Sequence, residues 1–139
     1  MRTALVALVI ALGLGCSPPP PSTSAVSGGD PSRGTAALRR HGCGGCHRIP
    51  GLPEARGAVG PSLEGLAARS HIAGRLANRP LNLVHWIVDP RAVDPGTAMP
   101  DLGVSEADAR DIAAYLYART ATSTPAPRWP PTEPPAAER

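Results

Sequence analysis

The residues best suited to chemistry lie in one short segment, Cys43-Gly44-Gly45-Cys46-His47. Its two thiols are three positions apart, so on one helical turn they point the same way. Thiols in that arrangement can bond to two neighbouring vinyl groups of one porphyrin, and the adjacent imidazole can then bind its iron. The segment therefore predicts covalent haem attachment through Cys43 and Cys46, with His47 as an iron ligand.

Other interpretations of this segment compete with haem attachment. A zinc site needs four ligands and usually a second closely spaced pair, and the remaining cysteine, Cys16, lies in the leader rather than in the domain. A thioredoxin-like dithiol belongs to alternating strands and helices, which this sequence lacks. A five-residue pattern can also arise by chance, so the rest of the chain must support it.

A candidate for the second axial ligand is Met99, the only methionine apart from the initiator. It lies in the loop 95–100, whose flanking prolines keep the backbone non-helical. A thioether in such a loop can bind iron from the side opposite His47, whereas a core-filling methionine belongs on an apolar helix face. Histidine ligation by His71 or His85 remains an alternative, although each also fits an ordinary surface position.

Three further residues are candidates to support the haem. An imidazole that binds iron through one nitrogen carries its proton on the other, which needs an acceptor to fix the ring. The carbonyl of Pro61 follows His47 at a suitable distance. Trp86 and Arg91 are candidates to hydrogen-bond the haem propionates, while core packing for Trp86 and a solvated position for Arg91 explain them equally well.

The leader resembles a bacterial lipoprotein signal. An apolar run covers residues 4–14, and its eleven residues are about half of the roughly 20 that a membrane-spanning helix requires. We therefore expect a signal peptide over 1–15 and lipidation at Cys16, with cleavage near residues 24–26 as the alternative. Two thioethers and one lipidated residue would use all three cysteines.

Composition divides the remaining chain into three parts. Residues 16–29 are rich in Pro, Ser and Gly and predict a disordered tether, and 120–139 predict a disordered Pro-rich tail. Between them, 30–119 predict one all-α domain, with helical patterns over about 31–41, 81–88 and 106–118. The net charge of +3 comes from arginine without any basic cluster, which argues against nucleic-acid binding.

At these residues the chain resembles class I cytochromes c, from Asp30 to Ala118. The resemblance rests on the haem motif, Gly60-Pro61-Ser62-Leu63, the Met99 loop and Ala114-Tyr115-Leu116. It implies a small cytochrome c fold of three to five helices around one covalently bound haem c. In that fold the first and last helices cross, bringing Gly34 and Leu38 against Tyr115 and Leu116.

The segment 76–100 is also similar to the cytochrome c domain fused to subunit II of haem-copper oxidases of the caa3 type. The resemblance implies a one-electron carrier, not an enzyme, with His/Met-ligated haem, in a respiratory-type chain at the outer face of a bacterial membrane. We expect its partner to be a terminal oxidase or a quinol-oxidising complex. We expect the protein itself to be a lipid-anchored, periplasmic monomer. The alternative is a haem subunit or a peroxidase-like component of a larger redox complex.

Overall fold

The computed structural model describes residues 25–121, without the side chains of residues 120 and 121. Within this range, α-helices predominate, joined by two 3-10 turns and one short hairpin. In chain order they are α1 Pro31–Arg40, the 3-10 turn Cys43–Gly45, the 3-10 turn Leu66–Ala68, β1 His71–Ile72, β2 Leu76–Ala77, α2 Pro80–Val88, α3 Pro90–Val93 and α4 Glu106–Ala121. The expected all-α class is confirmed.

Helix α1 begins and ends at the residues that its sequence signals indicate. The Asp30 carboxylate accepts a hydrogen bond from the Ser32 amide at 2.8 Å, and Pro31 occupies the first turn. At the other end the His41 amide still bonds to the Ala37 carbonyl at 3.0 Å. Gly42 then takes a left-handed conformation with φ of 68°, which ends the helix.

Two small elements were not predicted from the sequence. The first is α3, which begins because the Asp89 carboxylate accepts a hydrogen bond from the Ala92 amide at 2.9 Å. The second is the antiparallel hairpin of β1 and β2, whose strands have only two residues each and pair Ile72 with Leu76. Strands this short have no detectable alternation of polar and apolar residues.

Helix α4 crosses α1 at a position where only glycine fits. A Cβ atom on Gly34 would lie 2.6 Å from the Tyr115 Cβ and would also overlap the Asp111 carbonyl. Leu38 and Leu116 are each only 2% exposed beside this crossing. At the start of α4 the Ser105 hydroxyl accepts a hydrogen bond from the Asp108 amide at 3.1 Å, as a capping residue does.

The residues just before α1 pack against α4. Val26 is fully buried, and the Ser27 carbonyl accepts a hydrogen bond from Arg110 at 2.9 Å. Asp111, itself buried, accepts from the Asp30 amide at 2.7 Å and pairs with Arg33 at 2.7 Å. The packed part of the chain therefore begins before the predicted boundary at Asp30.

The predicted signal peptide, most of the tether and the Pro-rich tail lie outside the described residues. Among residues 25–121, no helix has both the length and the apolar character that crossing a bilayer requires.

Candidate functional site

The two cysteines and the histidine of the motif are carried by a single turn. Gly42 redirects the chain from α1 into the 3-10 turn Cys43–Gly45. The Cys43 carbonyl then accepts hydrogen bonds from the amides of Cys46 at 3.3 Å and His47 at 3.0 Å. Both thiols are free of disulfides. One turn therefore presents two thiols and an imidazole together.

These side chains open into a cavity of about 410 Å³, which falls within the range of about 300 to 1,000 Å³ that is usual for small-molecule sites. Cys43, Cys46, His47 and Met99 all line it. Most of its remaining wall is apolar and comes from every main helix and from the loops, including Leu38, Leu66, Ile72, Leu83, Ile112 and Leu116. The cavity suits a large apolar group that is attached and ligated at its edge.

Ring orientation at His47 is fixed by a hydrogen bond. Its Nδ1 lies 2.7 Å from the carbonyl oxygen of Pro61. A carbonyl oxygen can only accept, so Nδ1 carries the proton and Nε2 keeps its lone pair. Nε2 is therefore in the state that binds a metal, and Pro61 is the residue that selects this tautomer.

The loop that follows the motif holds the imidazole from its other side. The Gly57 amide donates to the Gly44 carbonyl at 3.1 Å, and the Gly60 amide donates to the Cys46 carbonyl at 2.8 Å. A Cβ atom on Gly60 would lie 2.6 Å from Nδ1 of His47, so the backbone packs directly on the ring. The absence of a side chain at residue 60 makes this close approach possible.

Met99 is positioned by a loop with its own hydrogen bonds. The Asp94 carboxylate accepts from the Gly96 amide at 3.2 Å, and the Asp94 carbonyl accepts from the Thr97 amide at 3.0 Å. The Thr97 hydroxyl in turn accepts from the Met99 amide at 3.1 Å. Arg75 of the hairpin lies 3.4 Å from Asp94 and ties this loop to its neighbour. The Met99 side chain is half-buried at the cavity.

The other candidates from the sequence divide into two groups. Trp86 is half-buried and lines the cavity, and the exposed His71 also borders it. Arg91 and His85 are exposed and are not among the cavity residues. The structure thus brings Trp86 but not Arg91 to the cavity.

Arg69 and His41 are polar cavity residues that the sequence analysis did not single out as site candidates. Arg69 reaches the cavity while its Nη2 donates to the carbonyls of Ser62 and, at 2.8 Å, Glu64. Its only sequence signal is its place in the loop after Gly60-Pro61. His41 also lines the cavity, and its Nε2 lies 3.0 Å from the Asp108 carboxylate. Nothing in the local sequence at His41 indicates a contact with a residue so distant along the chain.

The zinc and dithiol interpretations find no support at this site. Burial raises the pKa of the Cys43 thiol, whereas a reactive dithiol depends on a lowered thiol pKa. Among residues 25–121, no three His, Cys, Asp or Glu side chains are grouped so that they could hold a metal ion. The geometry favours attachment of a haem over both alternatives.

The sequence matches the cytochrome c family over residues 32–119, which is more than half of the chain and contains the whole site. The chain therefore belongs to the cytochrome c family. It is also 35% identical over 86 residues to cytochrome c oxidase subunit 2 of Alkalihalophilus pseudofirmus. The aligned part is 61% of this chain but only 24% of that relative, so the chain corresponds to about a quarter of it.

Membership of this family confirms the expected cofactor and its general role. The protein binds one haem c covalently through Cys-x-x-Cys-His and takes part in haem-based electron transfer. The site fits this group, because two free thiols and an imidazole with an available Nε2 border an apolar cavity.

Proposed function

We propose that the protein is a one-electron carrier in which His47 and Met99 hold the haem iron. The observation that carries this proposal is that both side chains line the same cavity as Cys43 and Cys46. Bound haem supplies an iron centre that accepts and releases one electron. If His47 and Met99 both held the iron, no position would be open for oxygen or peroxide, which favours a carrier over an enzyme.

The roles of the individual residues follow from their contacts. The Pro61 carbonyl holds His47 with Nε2 available, and the two thiols fix the porphyrin edge relative to that ring. The apolar lining limits water, and a soft thioether ligand favours reduced iron. Together these features predict a rather high reduction potential for a c-type haem.

We place the protein at the outer face of a bacterial membrane. The sequence supports this through the predicted signal over 1–15, the lipidation site at Cys16 and the tether over 16–29, followed by the haem domain over 30–119 and a tail over 120–139. Its relative is named as a cytochrome c oxidase subunit, which supports a terminal oxidase as electron acceptor. A quinol-oxidising complex is the corresponding donor, and the carrier acts as a monomer.

Ligation by Met99 is tested with the full-length protein extracted from membranes. We expect Met99→Ala to abolish the sulfur-to-iron charge-transfer absorption band, because the chain has no other methionine after the initiator. Met99→His should replace this spectrum by that of a bis-histidine haem. The control is Asp101→Asn, an isosteric change at an exposed residue of the same loop region that does not line the cavity, and it should keep the band. An unchanged band in Met99→Ala would overturn the assignment.

Lipidation is tested by mass spectrometry of the mature N-terminus. We expect the chain to begin at an acylated Cys16, and Cys16→Ser to release the protein from the membrane fraction. A mature chain that begins beyond Cys16 without an acyl group would refute the anchor but leave the haem assignment intact.

A fixed haem subunit or a catalytic component of a larger complex is the second candidate. The similarity to an oxidase subunit is the observation that favours it. Stable co-purification with other redox subunits would support the fixed subunit. A five-coordinate spectrum with ready carbon monoxide binding would support a peroxidase-like component, since it requires an open iron position.

A further inference from the structure

A second cavity, of about 490 Å³, lies behind the haem-attachment turn. It is formed by residues 48–53, 55 and 56 together with Glu64, and it shares no lining residue with the haem cavity. Two of its lining residues are arginines, Arg48 and Arg56. We call this concavity the arginine cavity.

The backbone forces these two arginines together. Arg48 and Arg56 are direct partners in an isolated antiparallel bridge. Residues that face each other across such a bridge have their Cβ atoms about 4.5 to 5.5 Å apart and project to the same side. Like charges in this position disfavour the pairing, and although both side chains are exposed to water, a bound anion would offset their repulsion.

Neither guanidinium group is paired with a carboxylate among the described residues, and Glu64 is the one carboxylate that lines the cavity. Arg56 donates its Nε to the Pro53 carbonyl at 2.7 Å, which holds the guanidinium and leaves its terminal nitrogens for a ligand. Within residues 25–121, neither Arg48 nor Arg56 forms an ion pair, and Glu64 lines the cavity without pairing with them. In this range five arginines do have carboxylate partners, namely Arg33, Arg39, Arg40, Arg75 and Arg110, whereas Arg69, Arg79 and Arg91 also form no ion pair but do not line this cavity.

We propose that the arginine cavity binds an anion that carries a phosphate group. Two arginines that line one cavity can offer guanidinium forks, which match the oxygens of a phosphate through paired, charge-assisted hydrogen bonds. The cavity is large enough for a phosphorylated small molecule or a lipid headgroup. Both sources offer the same phosphate chemistry to Arg48 and Arg56. Glu64 limits the affinity for the anion because it places one carboxylate at the same site.

The test uses the full-length, reduced haem protein and follows the arginine Nε–Hε signals by NMR. Inorganic phosphate is titrated at constant ionic strength against chloride. We expect saturable shifts of the Arg48 and Arg56 signals, and we expect Arg48→Gln and Arg56→Gln each to weaken binding by about tenfold. Arg79→Gln, a matched change at an exposed arginine outside the cavity, should leave affinity unchanged.

Glu64→Gln should change the affinity for phosphate in the direction opposite to the two arginine variants. Because it removes the only carboxylate among the cavity residues, it should tighten phosphate binding. Bicelles containing phosphatidylglycerol, with phosphatidylcholine bicelles as the comparison, separate the two sources of phosphate. Shifts with inorganic phosphate alone identify a soluble ligand, and shifts with phosphatidylglycerol alone identify a headgroup. No saturable shift in either arm would overturn the proposal, as would an unchanged affinity for phosphate in both Arg48→Gln and Arg56→Gln, each followed by the signal of the arginine that it retains.

Discussion

At the scale of single residues, the His47 side chain is held in position by contacts with two residues of a neighbouring loop. The Pro61 carbonyl fixes the proton on Nδ1, and the Gly60 backbone packs on the ring. Because these contacts already fix the imidazole ring, the ring would need little rearrangement to bind iron. Glycine at residue 60 therefore belongs to the site, because it lets the backbone pack directly on the imidazole.

Gly60→Ala tests this packing. The added methyl group would overlap the His47 ring, so we expect the imidazole to be displaced and the yield of correctly ligated haem protein to fall severalfold. The measurement is the absorption spectrum of the exported protein. Gly45→Ala is the control within the motif itself, because a Cβ there would meet nothing within 4 Å. Equal yields from the two variants would contradict the packing.

The cluster of Asp108, His41 and Arg40 predicts a pH effect on stability. Hydrogen bonds from His41 and Arg40 lower the pKa of Asp108 below its usual value of 3.8. A lowered pKa in the folded state stabilises the fold above the unfolded-state pKa, and this contribution disappears as the pH falls through the lower folded-state pKa.

Asp108→Asn should therefore be less stable than the parent at about pH 7, with the difference shrinking below about pH 4. Urea unfolding at a series of pH values measures this difference. Ala107→Ser, at the exposed neighbouring position, should show an offset that does not depend on pH. A constant difference between Asp108→Asn and the parent down to about pH 2.5 would contradict the expectation.

The sequence predicted one part of the site better than the other. The attachment motif, and Met99 between prolines, could be identified because their chemistry is encoded in residue type and short spacing. Arg69 and His41 could not, because they reach the cavity only through the path of the folded backbone. Trp86 and Arg91 were equal candidates for the propionates, because local sequence did not distinguish Trp86, which lines the cavity, from Arg91, which the fold leaves outside it.

At the scale of elements, the crossing of α1 and α4 determines the shape of the domain. Gly34 lets the two backbones approach until a Cβ would overlap the Asp111 carbonyl. We expect Gly34→Ala to lower the free energy of unfolding by about 1 to 3 kcal/mol, the usual cost of overpacking. Ala36→Ser, at an exposed position of the same helix, should change it by less than about 0.5 kcal/mol.

Chemical denaturation followed by circular dichroism measures both variants. A stability loss for Gly34→Ala no larger than that for Ala36→Ser would show that the helix crossing has space for a methyl group at residue 34. This would contradict the packing on which the fold depends.

Element boundaries were predictable where a capping residue carries the signal. Asp30, Gly42 and Ser105 mark helix ends through local contacts, and the structure has the expected contacts. Helix α3 was missed although Asp89 caps it through a local contact, and the two-residue strands were missed as well. Their sequences carry too few residues for any periodic pattern.

At the scale of the whole molecule, the link between the N-terminal segment and the haem domain is tested at Val26. The sequence predicted a disordered tether up to residue 29, whereas Val26 is fully buried. Val26→Ala removes two buried methyl groups and should lower the free energy of unfolding by about 2 kcal/mol. Ser27→Ala, an exposed change that keeps the backbone carbonyl, should have little effect. Identical stability of Val26→Ala and the parent would restore the tether interpretation.

The docking of residues 26–29 on α4 also has a mechanical consequence. Any force applied through the N-terminal end first meets the buried Val26 and the hydrogen bond between Ser27 and Arg110. These contacts lie away from the haem ligands. They can therefore break under force while the turn that carries His47 stays folded. In a single-molecule pulling experiment, a small extension step should therefore precede the rupture of the domain.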